Sequence, residues 1–255
     1  MEKIFENEEM LVISNHSLDV ILNDILKNTL DKFNLYRKIF KVEKLDKITL
    51  KIFDDLDEYR KDAFQVRGVQ PAEYSRGWFN SRDKVSNVCI EYIKLQEILN
   101  DPIKYKKKVA SNAHESFHYY YKKYYYKNNR ITWFDEGLAQ FISGEYSDLT
   151  ENNLKEKYLN FINNYIPINN LNDRVNGNKD IPDNLIFKRE GVFQGYEASF
   201  FCIKYLVDTK GIEYIYELMF NNDEILKYGN HILEDMINYY NNKYQLETEL
   251  NMSHI

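Results

Sequence analysis

The chain has 255 residues, is 44% hydrophobic and carries a formal net charge of -6 at pH 7, a composition typical of a globular protein with one large domain or two small ones. The acidic balance argues against a nucleic-acid partner or an anionic membrane surface, because both favour clustered Lys and Arg. No run of about 18 apolar residues is present, so we expect no membrane span, and the two cysteines define no disulfide framework.

The N-terminus shows no targeting peptide. Its first residues, MEKIFENEEMLVISNHSLDVIL, are acidic where a secretory signal would be basic. We therefore expect a cytoplasmic protein, although the mature form of a secreted protein would look the same.

The pattern before residue 100 predicts a small mixed β-sheet. An apolar run at 9–14 is typical of a strand, and apolar residues at helical spacing follow at 17–40. Alternating apolar residues at 47–53 predict a second strand, and an Asp-capped helix follows at 54–64. Two β-rich segments flank a polar turn within 75–95 and favour a hairpin.

From residue 101 onward the pattern becomes helical. Asp101 and Pro102 predict the start of a long helix that continues to about residue 127. Thr132 can cap the next helix, and Gly144 can end it. Later helices are predicted at 151–165, 196–211, 212–220 and 231–240.

These elements together predict a single α+β domain over residues 1–255. Residues 1–100 are expected to form a mixed-sheet subdomain with an edge strand, and residues 101–255 a mostly helical subdomain. The stretch YYYKKYYY at 119–126 lies in the long helix. Because tyrosine is an amphipathic packing residue, we interpret this stretch as core and boundary positions.

The long helix contains the sequence HESFH, from His114 to His118. Residues four apart share a helix face, so the two imidazoles project toward one point, which is how two zinc ligands are presented. Glu115 lies beside them, where a carboxylate can take a proton from water activated by the metal. Two histidines one turn apart can also be ordinary core or surface residues, so the motif needs a third ligand.

Glu136 is the candidate third ligand. It follows His118 by 18 residues, enough for one helix to end and a second helix to return a carboxylate to the same ion. Two His and one Glu leave a fourth position for water, as in catalytic zinc sites, although Co or Mn could occupy the same ligands. Gly137 and Ala139 are small, so we expect the two helices to approach closely.

The segments HESFH and WFDEGLAQF together resemble the gluzincin metallopeptidases, whose signature is HExxH followed by W-x-x-E-G-x-A on a second helix. The resemblance is specific from about residue 111 to 141. It implies a thermolysin-like catalytic domain, a zinc cofactor held by His114, His118 and Glu136, Glu115 as general base, and a peptide or protein substrate. It carries no information on the oligomeric state.

A tyrosine further along the chain extends the resemblance. Gluzincin aminopeptidases place a Tyr in a Tyr-Glu-Lys-Gly motif some sixty residues after the ligand Glu, where its hydroxyl stabilises the oxyanion. Here Tyr196 lies 60 residues after Glu136 and is followed by Glu197, but the Lys-Gly part is absent. The resemblance therefore implies an oxyanion role for Tyr196, in a chain with 22 Tyr that could serve packing alone.

The resemblance also assigns roles to a strand and to a neighbour of the ligands. The strand before the zinc helix is expected to form the sheet edge that binds substrate, which places Asn87, Cys89 and Glu91 along the peptide. Glu91 lies 23 residues before His114, an offset similar to that of the Glu in the Gly-x-Met-Glu-Asn motif with which gluzincin aminopeptidases bind a free amino group. The residues on either side of Glu91 do not match that motif, so an endopeptidase is favoured. Gln140 is a candidate hydrogen-bond partner for His114.

Three alternatives stay open from the sequence. The protein could be an aminopeptidase, or a catalytically idle zinc-binding protein that uses the peptidase fold for recognition. It could also be a latent enzyme, because the long polar connection at 167–191 is a candidate lid.

Overall fold

The computed structural model describes residues 1–71, 73, 75–126, 130–147, 149–163, 194–229 and 231–246. The chain divides into two compact units. The first comprises Met1–Asn128 and Ala139–Asp148, and the second comprises Asn129–Leu138 and Leu149–Ile255. The first unit extends past the predicted subdivision near residue 100.

A five-stranded mixed sheet forms the centre of the first unit. Its strands are β1 (Glu2–Glu6), β2 (Met10–Ser14), β3 (Ile48–Phe53), β4 (Gly77–Asn80) and β5 (Val85–Cys89). They lie in the order β1-β2-β3-β5-β4. The three central strands are mutually parallel, while β1 and β4 pair antiparallel at the two ends.

The strand order corrects the predicted substrate edge. The hairpin of β4 and β5 is confirmed, but β5 also pairs with β3, so it is an interior strand. Within the described residues β4 pairs with β5 alone and forms that end of the sheet. The alternation of side chains along a hairpin does not reveal which of its two strands joins the rest of the sheet, which is why this prediction was wrong. Strand β1 was not predicted.

The first unit contains helices α1 (Asp19–Phe40), α2 (Leu56–Arg67), α3 (Leu95–Asn100) and α4 (Pro102–Tyr121). A π-helical turn, Lys122–Tyr126, continues α4, so the predicted long helix is confirmed. It begins where predicted, because the Asp101 carboxylate accepts hydrogen bonds of 3.0 Å from the backbone N–H groups of Ile103 and Lys104.

Aromatic side chains join α1 to α4. Tyr36 and Phe117 lie 5.6 Å apart, and Phe33 and Tyr120 lie 5.7 Å apart edge to face. The hydroxyl of Tyr36 is fully buried and donates a 2.8 Å hydrogen bond to the backbone oxygen of Ala113. Tyr119, Tyr120 and Tyr121 are all buried in α4, and the first two donate hydrogen bonds to Asp46. The interpretation of the tyrosines as packing residues is therefore confirmed for the part of the stretch that lies in α4.

The other helices in the described part of the chain are α5 (Thr132–Ser143), α6 (Glu151–Asn163), α7 (Gln194–Lys210), α8 (Ile212–Leu218), α9 (Asn222–Gly229) and α10 (Ile232–Tyr244). Helix α5 is continuous, and the division between the units falls within it. Gly144 follows it with φ of +84°, a left-handed conformation that favours glycine. Helix α9 was not predicted, and the candidate lid at 167–191 lies outside the described residues.

The second unit has its own aromatic core. Phe201 of α7 packs against Tyr158 of α6 and Tyr240 of α10, with ring centroids 5.4 Å apart in both pairs. The Tyr158 hydroxyl donates a 2.9 Å hydrogen bond to Asn241 Oδ1. The protein is thus a mixed α/β protein with its sheet in the N-terminal part and helices after it, and no described helix is both long and apolar enough to cross a membrane.

Candidate metal centre

His114 and His118 present their imidazoles from successive turns of α4. Their Nε2 atoms lie 3.1 Å apart and the ring planes are inclined by 83°. Two nitrogen ligands at 2.0–2.1 Å from a tetrahedral zinc ion would lie about 3.3 Å apart. The observed spacing is close to that value, so both nitrogens can bind one ion after a small adjustment.

Glu136 completes a group of three potential metal ligands. One ligand atom each from His114, His118 and Glu136 lies within 4.8 Å of the others. Glu136 is only 7% exposed. Two imidazoles and one carboxylate are the donor set of many catalytic zinc sites, and they also suit other first-row transition metals. The residues therefore fit a divalent cation, and the three predicted ligands are brought together.

Glu145 contacts the other nitrogen of His114. Its Oε1 atom lies 2.7 Å from His114 Nδ1, and its side chain is 4% exposed. A carboxylate at Nδ1 favours the tautomer with its proton there, which leaves the Nε2 lone pair for a metal. Sequence reasoning missed Glu145. The available signal was Gly144, whose left-handed turn after α5 redirects the chain at that point.

The predicted partner of His114 was Gln140. It is 1% exposed, and the backbone N–H of Glu145 donates to its backbone oxygen over 3.3 Å. Its proposed side-chain role at His114 stays a prediction, while the carboxylate that the structure places at Nδ1 is that of Glu145.

Arg130 contacts the third ligand. Its Nη2 atom donates a 2.7 Å hydrogen bond to Glu136 Oε1, and its Nε atom donates to Asp135 Oδ2. Asp135 is fully buried. Sequence reasoning missed this arginine as well, because it lies in a connection with no motif around it.

Glu115, the predicted base, lies on α4 against Gly77 of strand β4. A Cβ atom at Gly77 would lie 3.1 Å from Glu115 Cδ and 3.3 Å from Cγ, and it would collide with Oε1. Two residues along β4, Phe79 stacks on Tyr119 of α4 at 4.8 Å, which holds the strand against the helix. The position of the Glu115 carboxylate therefore depends on a residue without a side chain at 77.

The atoms nearest to a side chain at Gly137 belong to α7, whereas we expected them to belong to α4. A Cβ atom there would collide with the backbone oxygen of Ser199 and lie 2.7 Å from Ile203 Cγ1, both on α7. The small residue thus permits close approach of α5 to α7, whereas we had expected it to serve the approach to α4.

Tyr196 lies in the first turn of α7 and is partly buried. Its neighbour Glu197 accepts a 3.2 Å hydrogen bond from Lys157 Nζ. The oxyanion role of Tyr196 stays a prediction.

The residues predicted to bind substrate along β5 are held within the fold. Asn87 is 2% exposed and Cys89 is fully buried. Glu91 lies beyond the end of the strand and accepts hydrogen bonds from Arg76 Nε at 2.8 Å and Lys94 Nζ at 3.1 Å. Partial burial by itself would raise the pKa of Glu91. The hydrogen bonds and positive charges of Arg76 and Lys94 have the larger combined effect, so the pKa lies below its usual value. These three side chains therefore do not line a free strand edge.

Comparison with known proteins adds no assignment. No family model matches the sequence, and no curated protein has significant similarity to it. The function is therefore inferred from the residues of the candidate metal centre and their surroundings.

Proposed function

We propose that this protein is a gluzincin-type zinc metallopeptidase with a thermolysin-like catalytic domain that cuts internal peptide bonds. The observation that carries the proposal is the group of His114, His118 and Glu136 within reach of one ion. Glu115 follows the first of these ligands directly in α4. A purely structural site is usually closed by four protein ligands, whereas three ligands beside a carboxylate favour catalysis.

The chain's own groups divide the chemical work. A zinc ion held by the three ligands would supply Lewis acidity and lower the pKa of water. Glu115 accepts the proton of the attacking water and returns it to the leaving amine. Glu145 holds the tautomer of His114 that leaves Nε2 as a ligand. Tyr196 is assigned the hydrogen bond to the oxyanion through the resemblance alone.

Strand β4 is the substrate-binding edge in this proposal. Cys89 N–H donates to Arg76 O over 2.7 Å, and in an antiparallel ladder the main-chain groups of alternate residues face alternate sides. The N–H and C=O groups of Gly77 and Phe79 therefore face away from β5. An extended peptide that pairs with them would pass the Glu115 carboxylate, which lies against Gly77.

The state of Glu91 supports internal cleavage. An aminopeptidase needs a carboxylate that binds the free amino group of its substrate, and Glu91 has the sequence offset that suited it for this role. Its carboxylate is already engaged by Arg76 and Lys94. We therefore favour an endopeptidase over an aminopeptidase.

A peptide library of diverse sequence, analysed by mass spectrometry, tests the proposal. Wild-type protein and Glu115→Gln are incubated with N-acetylated and free peptides, and the zinc content of both proteins is measured. We expect internal cuts in both peptide sets with wild type only, and about one zinc per chain in both proteins. Cuts confined to free N-termini would indicate an aminopeptidase. Bound zinc without any cleavage would indicate an idle or latent protein.

A further inference from the structure

Two adjacent carboxylates on α5 share one cation. Asp135 is fully buried and Glu136 is 7% exposed. Burial of two neighbouring negative charges is unfavourable unless cations and hydrogen bonds compensate them. The Arg130 guanidinium contacts both groups, through Nε to Asp135 and through Nη2 to Glu136.

The geometry of this contact restricts the Glu136 carboxylate. A guanidinium is planar, with donors in a rigid fork, so a contact to two acceptors fixes their positions relative to each other. Asp135 precedes Glu136 in α5 and anchors one arm of the fork. The other arm holds Glu136 Oε1 at 2.7 Å, which opposes rotation of that carboxylate.

We propose that Arg130 is a positioning residue for the metal, which clamps Glu136 so that its carboxylate coordinates through a single oxygen. This inference rests on the proposed zinc site. A carboxylate that rotates freely can bind an ion through both oxygens and occupy the position that a four-coordinate catalytic site keeps for water. Arg130 prevents this by retaining one oxygen.

The positive charge of Arg130 acts in the opposite direction, because it repels a nearby cation. Its side chain is 40% exposed, so solvent screens that repulsion. The orientation of Glu136 depends on direct contact and is not screened. We therefore expect the positioning effect to dominate and the loss of Arg130 to weaken metal binding.

Metal affinity and a cobalt spectrum test the clamp in the full chain. Zinc affinity is measured by competition with a chromophoric chelator for wild type, Arg130→Gln and Arg130→Lys. Arg82→Gln is the matched control, since Arg82 is 79% exposed and pairs with Asp83 in the hairpin turn. Visible absorption of the Co²⁺-substituted proteins reports coordination number, because the bands weaken when four ligands become five.

The expected results separate orientation from charge. Arg130→Gln should bind zinc roughly 10- to 100-fold more weakly and show weaker cobalt bands, while Arg82→Gln should match wild type. Arg130→Lys retains the charge without the fork, so its zinc affinity should stay below that of wild type with the same cobalt change. It also serves as the test variant if Arg130→Gln fails to fold.

Three results would overturn the clamp. Unchanged or tighter zinc binding in Arg130→Gln would show that orientation is not its main effect. Wild-type affinity and spectrum in Arg130→Lys would show that charge alone matters. A wild-type chain that binds no metal would remove the proposed function and this inference together, whereas the first two results leave the proposed function intact.

Discussion

Replacement of Gly77 by alanine should place a methyl group where the Glu115 carboxylate now lies. The added carbon would be 3.1 Å from Glu115 Cδ and would collide with Oε1. Carbon atoms in contact normally lie about 3.5–4.0 Å apart. The side chain of Glu115 must therefore retreat by about 0.5 Å at Cδ and by roughly 1 Å at the carboxylate oxygen, if the strand stays in place.

The stacking of Phe79 on Tyr119 opposes movement of the strand, so we expect Glu115 to move instead. A displacement of about 1 Å in a reacting group can lower a rate about 100-fold, and a general base contributes about 10²- to 10⁴-fold in total. Gly77→Ala should thus lower kcat/KM for a peptide substrate by about 100-fold. Zinc affinity should be unchanged, because the three atoms nearest the added methyl group all belong to Glu115, which is not a proposed ligand.

The assay compares peptide hydrolysis and zinc affinity in Gly77→Ala and in Ser81→Ala, an exposed position of the adjacent hairpin turn. Both substitutions are repeated in a Glu115→Gln background. Because Gly77 acts through Glu115, the two losses should not add, and Gly77→Ala should change the residual rate by less than about twofold in that background.

Two outcomes would refute this reasoning. Wild-type activity in Gly77→Ala would show that the site tolerates the methyl group or does not use Glu115 as a base. A full additional loss in the Glu115→Gln background would show that Gly77 acts by another route, such as direct contact with substrate.

Three further predictions follow from buried polar groups. Glu145→Ala should weaken zinc binding about 10- to 100-fold in a chelator competition, because it removes the carboxylate at His114 Nδ1. Glu145→Gln also removes the carboxylate and should show a smaller loss. Equal zinc affinity in wild type and both variants would contradict the assigned contact. Burial lowers the pKa of Lys108 from 10.5 to about 8. Between these two pH values the unfolded chain binds more protons than the folded chain, so the free energy of unfolding of the wild type increases as pH rises. Urea unfolding across that pH range should show this increase in wild type and not in Lys108→Met. The prediction is refuted if the free energies of unfolding of the two proteins change in parallel with pH. Burial raises the pKa of Cys89 to about 12 and also raises that of Cys202. Neither thiol should react with iodoacetamide near neutral pH until the protein unfolds, and mass spectrometry of the native protein would detect a contrary result.

Local patterns predicted several elements because their causes lie within a few residues. The Asp101 cap acts on the next two backbone N–H groups, so the start of α4 could be read directly. The end of α5 at Gly144 likewise reflects one residue's freedom to adopt positive φ. The pairing of His114 with His118 follows from the period of one helix.

Other parts of the candidate site could not be predicted in this way. Arg130 precedes Glu136 by six residues and has no motif around it, and its role emerges only from the path of the connection before α5. The importance of Gly77 depends on the packing of β4 against α4. The place of β5 inside the sheet depends on its pairing with β3, more than thirty residues earlier in the chain.

The sequence by itself determined the helices that carry the ligands and the residue types that can bind a cation, because helical period and side-chain chemistry are local properties. Only the tertiary structure decided which strand forms the edge, which carboxylate meets His114 and which cation holds Glu136. Those contacts join segments whose approach is set by packing of the whole fold, and no local pattern encodes that packing.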